Sequence, residues 1–261
     1  MTDFDRTLAI IGPTASGKTS VAIQLAKALN GEVVGLDSRQ IYQGMAIGTA
    51  QPSPAEQDGI THHLFGIKPP NETVAAGAYA SLAMEKIDDI FQRGKTPIIC
   101  GGAGLYYRAL VHGIFSGSST DQAIRNQLEE EYDVKGPDAM IERLRLEDPV
   151  YAEQVHPNNK KRLVRALEIL ETTGKPPSDH FKSQEELQHP KLDLYTIYLD
   201  WERPVLRQRV AQRTKIMMAN GWIDEVEALL LKYPHEHLHP CLLYTSPSPR
   251  DRSVSRMPSS A

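Results

Sequence analysis

A short apolar run followed directly by a glycine-rich loop constrains the fold of this chain more than any other feature. Residues 7–11, Thr-Leu-Ala-Ile-Ile, have the apolar and β-branched character of a buried strand. The next residues, 12–19, follow the pattern Gly, four residues, Gly-Lys-Thr, which is typical of loops that hold phosphates. Residues 18–29 have helical spacing, with Val21, Leu25, Ala28 and Leu29 facing inward. Strand, loop and helix in this order predict a phosphate-binding loop at the edge of a parallel sheet.

The same alternation continues along the first part of the chain. Two further strands are predicted at residues 32–36 and 96–100, and helices at residues 79–92 and from Gly101 to about residue 111. Alternating strands and helices are typical of an α/β protein with helices on both faces of a parallel sheet. Together with the phosphate loop, the pattern predicts a P-loop NTPase-like fold.

The pattern changes in the middle of the chain, where residues 116–187 contain no convincing strand. Helices are predicted at residues 121–131, 137–145 and 160–172, before a strand at 194–199 and a helix at 205–220. We therefore predict a P-loop core over residues 1–115, a helical insertion over 116–190 and a return to the core over 191–240. Residues 241–261 are rich in Ser, Pro and Arg, and we expect them to be a disordered, non-native tail on a C-terminally truncated chain.

Composition sets broad limits on compartment and partners. The net charge of −4 does not exclude a local basic surface for RNA. The two cysteines, Cys100 and Cys241, lie far apart and favour a reducing compartment over a disulfide framework. Because no N-terminal apolar segment is long enough for a signal peptide or a membrane span, we expect a cytoplasmic protein without membrane contact.

The predicted phosphate loop carries two side chains with specific chemistry. Lys18 would place a positive charge on the outer phosphates, and the Thr19 hydroxyl would bind Mg²⁺. The strand at 32–36 leads into Asp37, which is expected at the carboxyl edge of the sheet, beside the phosphates. Asp37 could be a Mg²⁺ partner, a general base or only a turn cap. The residues of the loop expected to bind diphosphate or nucleotide are Gly12, Pro13, Thr14, Ala15, Ser16, Gly17, Lys18 and Thr19.

Several motifs outside the loop, in a fixed order, make the resemblance to one family specific. The segments are Asp-Ser-Arg-Gln-Ile-Tyr at 37–42, Gly-Met-Ala-Ile-Gly-Thr-Ala at 44–50, His62-His63-Leu64, Gly-Gly-Ala-Gly-Leu-Tyr at 101–106, His-Pro-Asn-Asn at 156–159, Arg-Leu-Val-Arg-Ala-Leu-Glu at 162–168 and Thr-Gly-Lys-Pro at 173–176. Over about residues 7–235 the chain resembles the tRNA dimethylallyltransferases. We expect the adjacent histidines to be structural, since neighbours on a strand face opposite ways.

The resemblance implies a reaction. In this family the loop holds dimethylallyl diphosphate, and the five-carbon group is transferred to N6 of adenosine 37, beside the anticodon of tRNA. Diphosphate leaves, with Mg²⁺ as the cofactor. Asp37 then becomes the expected general base, and we expect a monomer acting on the tRNA anticodon loop. Two other functions remain open from the residues: a P-loop kinase of small molecules or nucleotides, and a catalytically weak tRNA-binding module.

The resemblance also implies contacts with tRNA and reveals one departure. The family usually has Thr where this chain has Ala103, which cannot make a side-chain hydrogen bond. Lys161 and Arg165 lie four residues apart on a helix and could share a basic face. The residues expected to contact tRNA are Asp37, Ser38, Arg39, Gln40, Ala103, Arg125, Lys161, Arg162, Leu163, Val164 and Arg165.

Overall fold

A computed structural model describes residues 6–113, 121–186, 192–233 and 238, with side chains to residue 183 in the second range. The chain forms two compact units: the first takes the chain up to Leu110 and from Leu192 onward, and the second takes the segment between them. The predicted tail lies outside the described residues, as does Cys241.

The first unit contains all strands of the described chain and the helices around them. The strands are β1 Thr7–Ile11, β2 Gly31–Leu36, β3 His62–His63, β4 Thr96–Gly101 and β5 Leu194–Tyr198. Its helices are α1 Lys18–Ala28, α2 Pro54–Gln57, α3 Ala76–Gln92, the greater part of α4 Gly104–His112, α9 Arg203–Ala219 and α10 Trp222–Lys232. Four strands and four helices begin and end within a few residues of the predicted bounds, whereas α10 was not predicted.

The strands form one parallel sheet in the order β3-β2-β4-β1-β5. Alternate residues of the central strands face α1 and form one apolar cluster with it, including Leu8, Val33 and Ile98. The intervening residues Val34 and Ile99 are equally inaccessible to solvent. Burial on both faces explains why these strands read as continuous apolar runs, and it confirms the predicted α/β class.

The buried face of α1 differs from the predicted one. Ala22, Ile23 and Ala26 are buried, whereas Ala28 is exposed. Val21, Leu25 and Leu29 are only half-buried at the margin of the cluster. The small Ala side chains let the helix approach the sheet closely, so the larger residues lie at the sides of the contact.

The carboxyl ends of the strands bring the candidate site together. β1 leads into the phosphate loop, β2 into Asp37, and β4 ends at Gly101 beside the end of β2. A Cβ atom on Gly101 would lie 2.0 Å from the Leu36 carbonyl oxygen, so only glycine permits this approach. Close packing of the two strand ends therefore fixes where Asp37 and the segment after β4 lie.

The described part of the second unit is helical. It contains α5 Gln122–Glu147, α6 Pro149–Ala152, α7 Lys160–Thr173 and α8 Pro177–Glu186. Gly136, with φ of 82°, breaks α5 before Pro137, so the two helices predicted there are separate segments. Leu128, Leu144 and Leu167 belong to its buried core. Among the described residues of both units, no helix is sufficiently long and apolar for a membrane span.

Candidate phosphate and acceptor site

The phosphate loop joins β1 to α1 in a conformation that leaves the start of the helix open. Gly17, the residue before α1, has φ of 92°, and no side chain caps the helix. The N–H groups of a first helical turn have no partner within the helix, and they carry partial positive charge. The loop therefore offers donors to an anion at the place where the sequence predicts phosphates.

Lys18 is folded back over the loop. Its ammonium group donates to the carbonyl oxygens of Gly12 at 3.0 Å and Pro13 at 2.8 Å. Burial lowers its pKa, while the nearby charge of Asp37 acts in the opposite direction. The cation is thus held among backbone oxygens at the mouth of the loop, from which an anion could draw it.

Two hydroxyl groups and a thiol belong to the loop and its immediate surroundings. Ser16 is 3% exposed, and in the described part of the chain its Oγ atom has no hydrogen-bond partner. Thr19, the second residue of α1, lies beside Cys100 on β4. Burial raises the pKa of the Cys100 thiol to about 11, although Lys18 and a hydrogen bond with Thr19 oppose the rise. Cys100 is therefore a neutral packing residue. Of the two hydroxyl groups, that of Thr19 has a partner in Cys100, whereas that of Ser16 has none among the described residues.

Asp37 uses one carboxylate oxygen to shape its own turn. Oδ1 accepts hydrogen bonds from the backbone N–H groups of Arg39 at 2.8 Å and Gln40 at 3.3 Å. Among the described residues, no hydrogen bond involves Oδ2. Asp37 thus caps its own turn, as considered from the sequence, but this role uses only one of the two carboxylate oxygens. Asp37 also lines the same cavity as the phosphate loop, which keeps a chemical role open.

The segment after Asp37 is held by its own side chains. The Gln40 amide donates to the carbonyl oxygens of Thr49 at 3.0 Å and Ala50 at 2.7 Å. These bonds make Gln40 a brace of the loop, so only its Oε1 atom remains to accept from a ligand. Ser38 and Arg39 line the cavity as well. Their expected contacts with tRNA stay predictions.

Ala103 stands where β4 turns into α4. Its backbone N–H donates to the Leu36 carbonyl at 3.1 Å, and its methyl group is half-buried in the cavity wall. The preceding Gly102 approaches the phosphate loop, since a Cβ atom there would lie 3.2 Å from the Gly12 carbonyl oxygen. Ala103 is therefore near the loop but contributes no polar side-chain atom.

Helix α9 adds residues to this cavity that sequence reasoning did not assign. The cavity has a volume of about 2140 Å³, and α9 contributes Arg209 and Arg213 to its wall. Arg213 donates to the Thr49 carbonyl at 3.3 Å. Burial lowers the pKa of Arg213, and the charge of Asp37 opposes that shift. The available signal in the sequence was four arginines, at 203, 207, 209 and 213, on a helix that follows a core strand.

Helix α10 holds the loop segment that contains Ile47 and Gly48. Glu225 accepts hydrogen bonds from the backbone N–H groups of Ile47 at 2.7 Å and Gly48 at 2.8 Å. These partners lie more than 170 residues away in sequence. Because Ile47 lines the cavity, the carboxylate holds one of its walls in place.

The predicted basic face in the second unit is partly neutralised. Arg125 and Arg165 both pair with Glu168, which has no exposed surface, at 3.4 and 2.7 Å. Lys161 and Arg162 are exposed on the same helix, α7. This gives two exposed cations and two half-buried guanidinium groups tied to one carboxylate.

The structure corrects the prediction for two side chains of α7. Leu163 and Val164 are 0% and 1% exposed and pack in the core of the second unit. Buried aliphatic groups cannot contact a tRNA, so any contact by side chains at this segment falls to the basic residues beside them.

The fold and the loop define a class: an α/β protein of the P-loop type, with a carboxylate and a cation at the carboxyl edge of its sheet. Residues 40–245 match the family model described as IPP transferase, and the chain belongs to this family. The match begins after the phosphate loop and ends five residues beyond residue 240, after which the tail is predicted to begin. The start of the tail therefore stays a prediction.

Relatives with sequence similarity span most of the chain. The tRNA dimethylallyltransferase of Desulfosudis oleivorans is 40% identical over 227 residues, which are 87% of this chain and 72% of that protein. That of Oceanobacillus iheyensis is 43% identical over 85% of this chain and 71% of the relative.

Solved structures give the same result. The tRNA isopentenylpyrophosphate transferase of Bacillus halodurans has a TM-score of 0.60 and 38% identity, covering 92% of this chain and 74% of that one. A eukaryotic dimethylallyltransferase acting on tRNA has a TM-score of 0.71 and 29% identity, covering 88% and 57%.

Proposed function

We propose that this chain transfers a dimethylallyl group from dimethylallyl diphosphate to N6 of adenosine 37, beside the anticodon of tRNA. The observation that carries the proposal is that a phosphate loop, its lysine and a half-engaged carboxylate line one cavity. Membership of the IPP transferase family supports the prenyl donor, and the names of the relatives support a tRNA acceptor.

The diphosphate is proposed to lie on the phosphate loop. Departure of diphosphate from an allylic carbon develops negative charge, which fixed donors stabilise. Lys18 can exchange its two backbone carbonyls for phosphate oxygens, and the buried Ser16 hydroxyl would gain the partner that it lacks. Arg213, which lines the same cavity, would add a second cation. These donors suit a leaving group with several oxygen atoms.

Asp37 is proposed as the general base. The N6 lone pair forms a bond with C1 of the allyl group, the C1–O bond breaks, and its electron pair leaves with diphosphate. The attacking nitrogen must then release a proton, and Oδ2 of Asp37 is available to take it because only Oδ1 serves the turn. A positioned base contributes about 10²–10⁴ in rate.

Mg²⁺ is proposed as the cofactor, and the donors present fit it. In the described part of the chain, no group of three or more His, Cys, Asp or Glu side chains could hold a metal by itself. Mg²⁺ usually takes few protein ligands and completes its shell with phosphate oxygens and water. Thr19 would hold it, and it would supply charge to neutralise the departing diphosphate.

The tRNA contacts are proposed from the basic residues and from the segment after Asp37. Lys161 and Arg162 are exposed and can reach phosphates, and Arg125 and Arg165 can add guanidinium donors. Ser38, Arg39, Gln40 and Ala103 are proposed near the flipped adenine, because a stacked base would keep its N6 group out of reach. We further propose a monomer that acts in the cytoplasm, where its tRNA substrate would be met.

The test supplies radiolabelled dimethylallyl diphosphate or γ-labelled ATP together with bulk tRNA. Label from the prenyl donor should enter RNA and appear in a modified adenosine after nuclease digestion. Transfer from ATP to RNA or to a small molecule would instead support a kinase. Binding of tRNA with no transfer from either donor would support a binding module.

A further inference from the structure

Two side chains that are distant in sequence donate hydrogen bonds to the backbone of the phosphate loop. The indole N–H of Trp201 donates to the Ser16 carbonyl at 3.0 Å, and Nε of Arg209 donates to the Ala15 carbonyl at 2.6 Å. Trp201 follows β5 and Arg209 lies on α9, more than 180 residues from the loop in sequence. Two consecutive loop carbonyls are thus bound by side chains that do not belong to the loop.

The direction of these carbonyls decides whether the loop can hold an anion. In a loop that cradles phosphates, successive N–H groups converge on the anion. A carbonyl turned inward would bring its negative end towards the same oxygens. By binding the Ala15 and Ser16 carbonyls, the two donors would hold these carbonyls out of that orientation.

The backbone of the loop also needs external support. Ala15 has φ of 64°, in the left-handed region that residues with a Cβ atom rarely adopt. Such conformations persist when the surrounding contacts fix them. The bond from Arg209 is made to Ala15 itself, so it holds the strained residue directly.

The two donors form one unit. The Arg209 guanidinium lies over the Trp201 ring, 4.8 Å from its centre, in a cation–π contact. A Cβ atom on Gly17 would lie 3.5 Å from Nη2 of Arg209, so the guanidinium reaches the start of α1. Displacement of either side chain would therefore disturb the other.

We propose that Trp201 and Arg209 are positioning residues that hold the phosphate loop in its anion-binding conformation and thereby set the affinity for the diphosphate group. The proposal rests on the proposed function, in which this loop binds diphosphate. The two side chains act through the Ala15 and Ser16 carbonyls.

The chain offers a matched control because it has two tryptophans. Within the described residues, the indole nitrogen of Trp222 is buried and has no hydrogen-bond partner. Trp222→Phe therefore removes an indole that makes no such bond, whereas Trp201→Phe removes the donor to Ser16. Both variants make the same chemical change, and only one touches the loop.

The first measurement is calorimetric titration of the full chain with inorganic diphosphate, with melting temperatures recorded in parallel. Trp201→Phe should raise the dissociation constant about 3- to 10-fold, the worth of one hydrogen bond. Arg209→Lys, which keeps the charge but lacks Nε, should weaken binding at least as much. Trp222→Phe should leave the affinity unchanged even if its melting temperature falls.

The second measurement uses fluorescence and does not depend on the folding of the Trp201 variant. In Trp222→Phe, Trp201 is the remaining tryptophan of the chain. Its emission should change on addition of diphosphate and saturate with the calorimetric dissociation constant. A tryptophan whose contacts do not involve the loop would give no such titration.

The outcomes separate the two levels of the proposal. If the wild-type chain binds no diphosphate, the proposed function of the loop fails and the positioning role fails with it. If the wild type binds, but Trp201→Phe and Arg209→Lys change only the melting temperature, the positioning role alone is overturned. An emission that stays constant while calorimetry detects binding overturns it as well.

Discussion

Strand β2 has a carboxylate at each end, and the two have opposite environments. Glu32, near the start of the strand, is 2% exposed and is surrounded by cationic partners. Asp37, directly after the strand, lines an open cavity and has one oxygen engaged by its own turn. A strand of six residues thus separates a structural carboxylate from a candidate catalytic one.

The partners of Glu32 leave it no capacity for chemistry. Arg93 donates to both carboxylate oxygens at 2.5 and 2.8 Å, Lys95 donates at 2.7 Å, and Nε2 of His63 lies 2.6 Å away. The hydrogen bond from Arg93 is the main reason why the pKa of Glu32 lies far below its usual value. This pairing supports the structural role predicted for His63.

The difference follows from the direction of the strands. Parallel strands place the loops that begin the helices at their carboxyl ends, where backbone donors remain open and ligands bind. At the amino ends, a buried charge must be fully paired to be tolerated. The number of carboxylate oxygens that accept hydrogen bonds therefore distinguishes the structural Glu32 from the candidate catalytic Asp37 better than burial alone does.

Asp37→Asn would test the catalytic end with the largest expected effect. The amide can still accept the two N–H bonds through Oδ1 but cannot take a proton, so kcat should fall about 10²–10⁴-fold while tRNA affinity is retained. Single-turnover prenylation and filter binding of tRNA measure the two quantities. Asp88→Asn, on the exposed side of α3, is the control. Equal losses of binding and turnover would make Asp37 a positioning residue.

Lys18→Ala would distinguish leaving-group stabilisation from base catalysis at the same edge. It removes the only side-chain cation of residues 12–19, so both the diphosphate affinity and the transfer rate should fall, the rate by about 10²–10³-fold. Diphosphate titration and single-turnover kinetics provide the measurement. Lys27→Ala, on the same helix, should leave both quantities unchanged. Unaltered affinity and rate in Lys18→Ala would refute the assignment.

Glu32→Gln would test the structural end, and its effect should appear in stability. Breaking a buried ion pair usually costs about 3–5 kcal/mol. Arg93 and Lys95 can regain water because their side chains are 39% and 36% exposed, so we expect a loss of about 2–3 kcal/mol. Urea denaturation measures it. Activity per folded molecule should be unchanged, and Glu85→Gln, in an exposed pair, should cost less than about 1 kcal/mol.

The pH dependence of the same variant has a definite sign. The pKa of Glu32 is lower in the folded chain than its usual value of 4.5. The ionised carboxylate therefore stabilises the folded state fully above about pH 4.5, and this stabilisation is lost as the pH falls below that value. The difference in stability between wild type and Glu32→Gln should therefore shrink below about pH 4.5. A constant difference down to pH 3 would show that ionisation of Glu32 is not the source of the effect.

The role of the carboxylate after β2 can be predicted from the sequence, but that of the carboxylate near its start cannot. Loop pattern, strand and acid follow one another locally, so Lys18, Thr19 and Asp37 could be assigned from neighbouring residues. The bonds of Trp201, Arg209, Arg213 and Glu225 span more than 160 residues, and no local pattern reports them. The same limit hid the pairing of Glu32 with Arg93.

Prediction of the fold has a similar limit, which depends on the length of each element and on how far apart its contacts lie in sequence. The strands of five or six residues and the helices α1, α3, α7 and α9 were predicted with nearly their observed bounds, whereas α10, with eleven residues, was not predicted. β3 has two residues and α2 has four, too short for a periodic pattern. The burial of Leu163 and Val164 depends on packing against α5, which is a tertiary contact.

Ala103→Thr should give the smallest effect and would sharpen the contrast at the open end of the sheet. The backbone of Ala103 is already fixed by its bond to Leu36, so the substitution adds a hydroxyl and a methyl group to the cavity wall without changing the turn. If the hydroxyl gains one hydrogen bond to the acceptor tRNA, turnover should rise by about 2- to 10-fold, because a neutral bond is worth about 0.5–1.5 kcal/mol. Ala103→Val is the matched control, since valine has the same shape without the hydroxyl and should not raise turnover. Steady-state prenylation of bulk tRNA compares the three chains. A fall in both variants would mean that the cavity is built around alanine, and an equal rise in both would attribute the gain to packing.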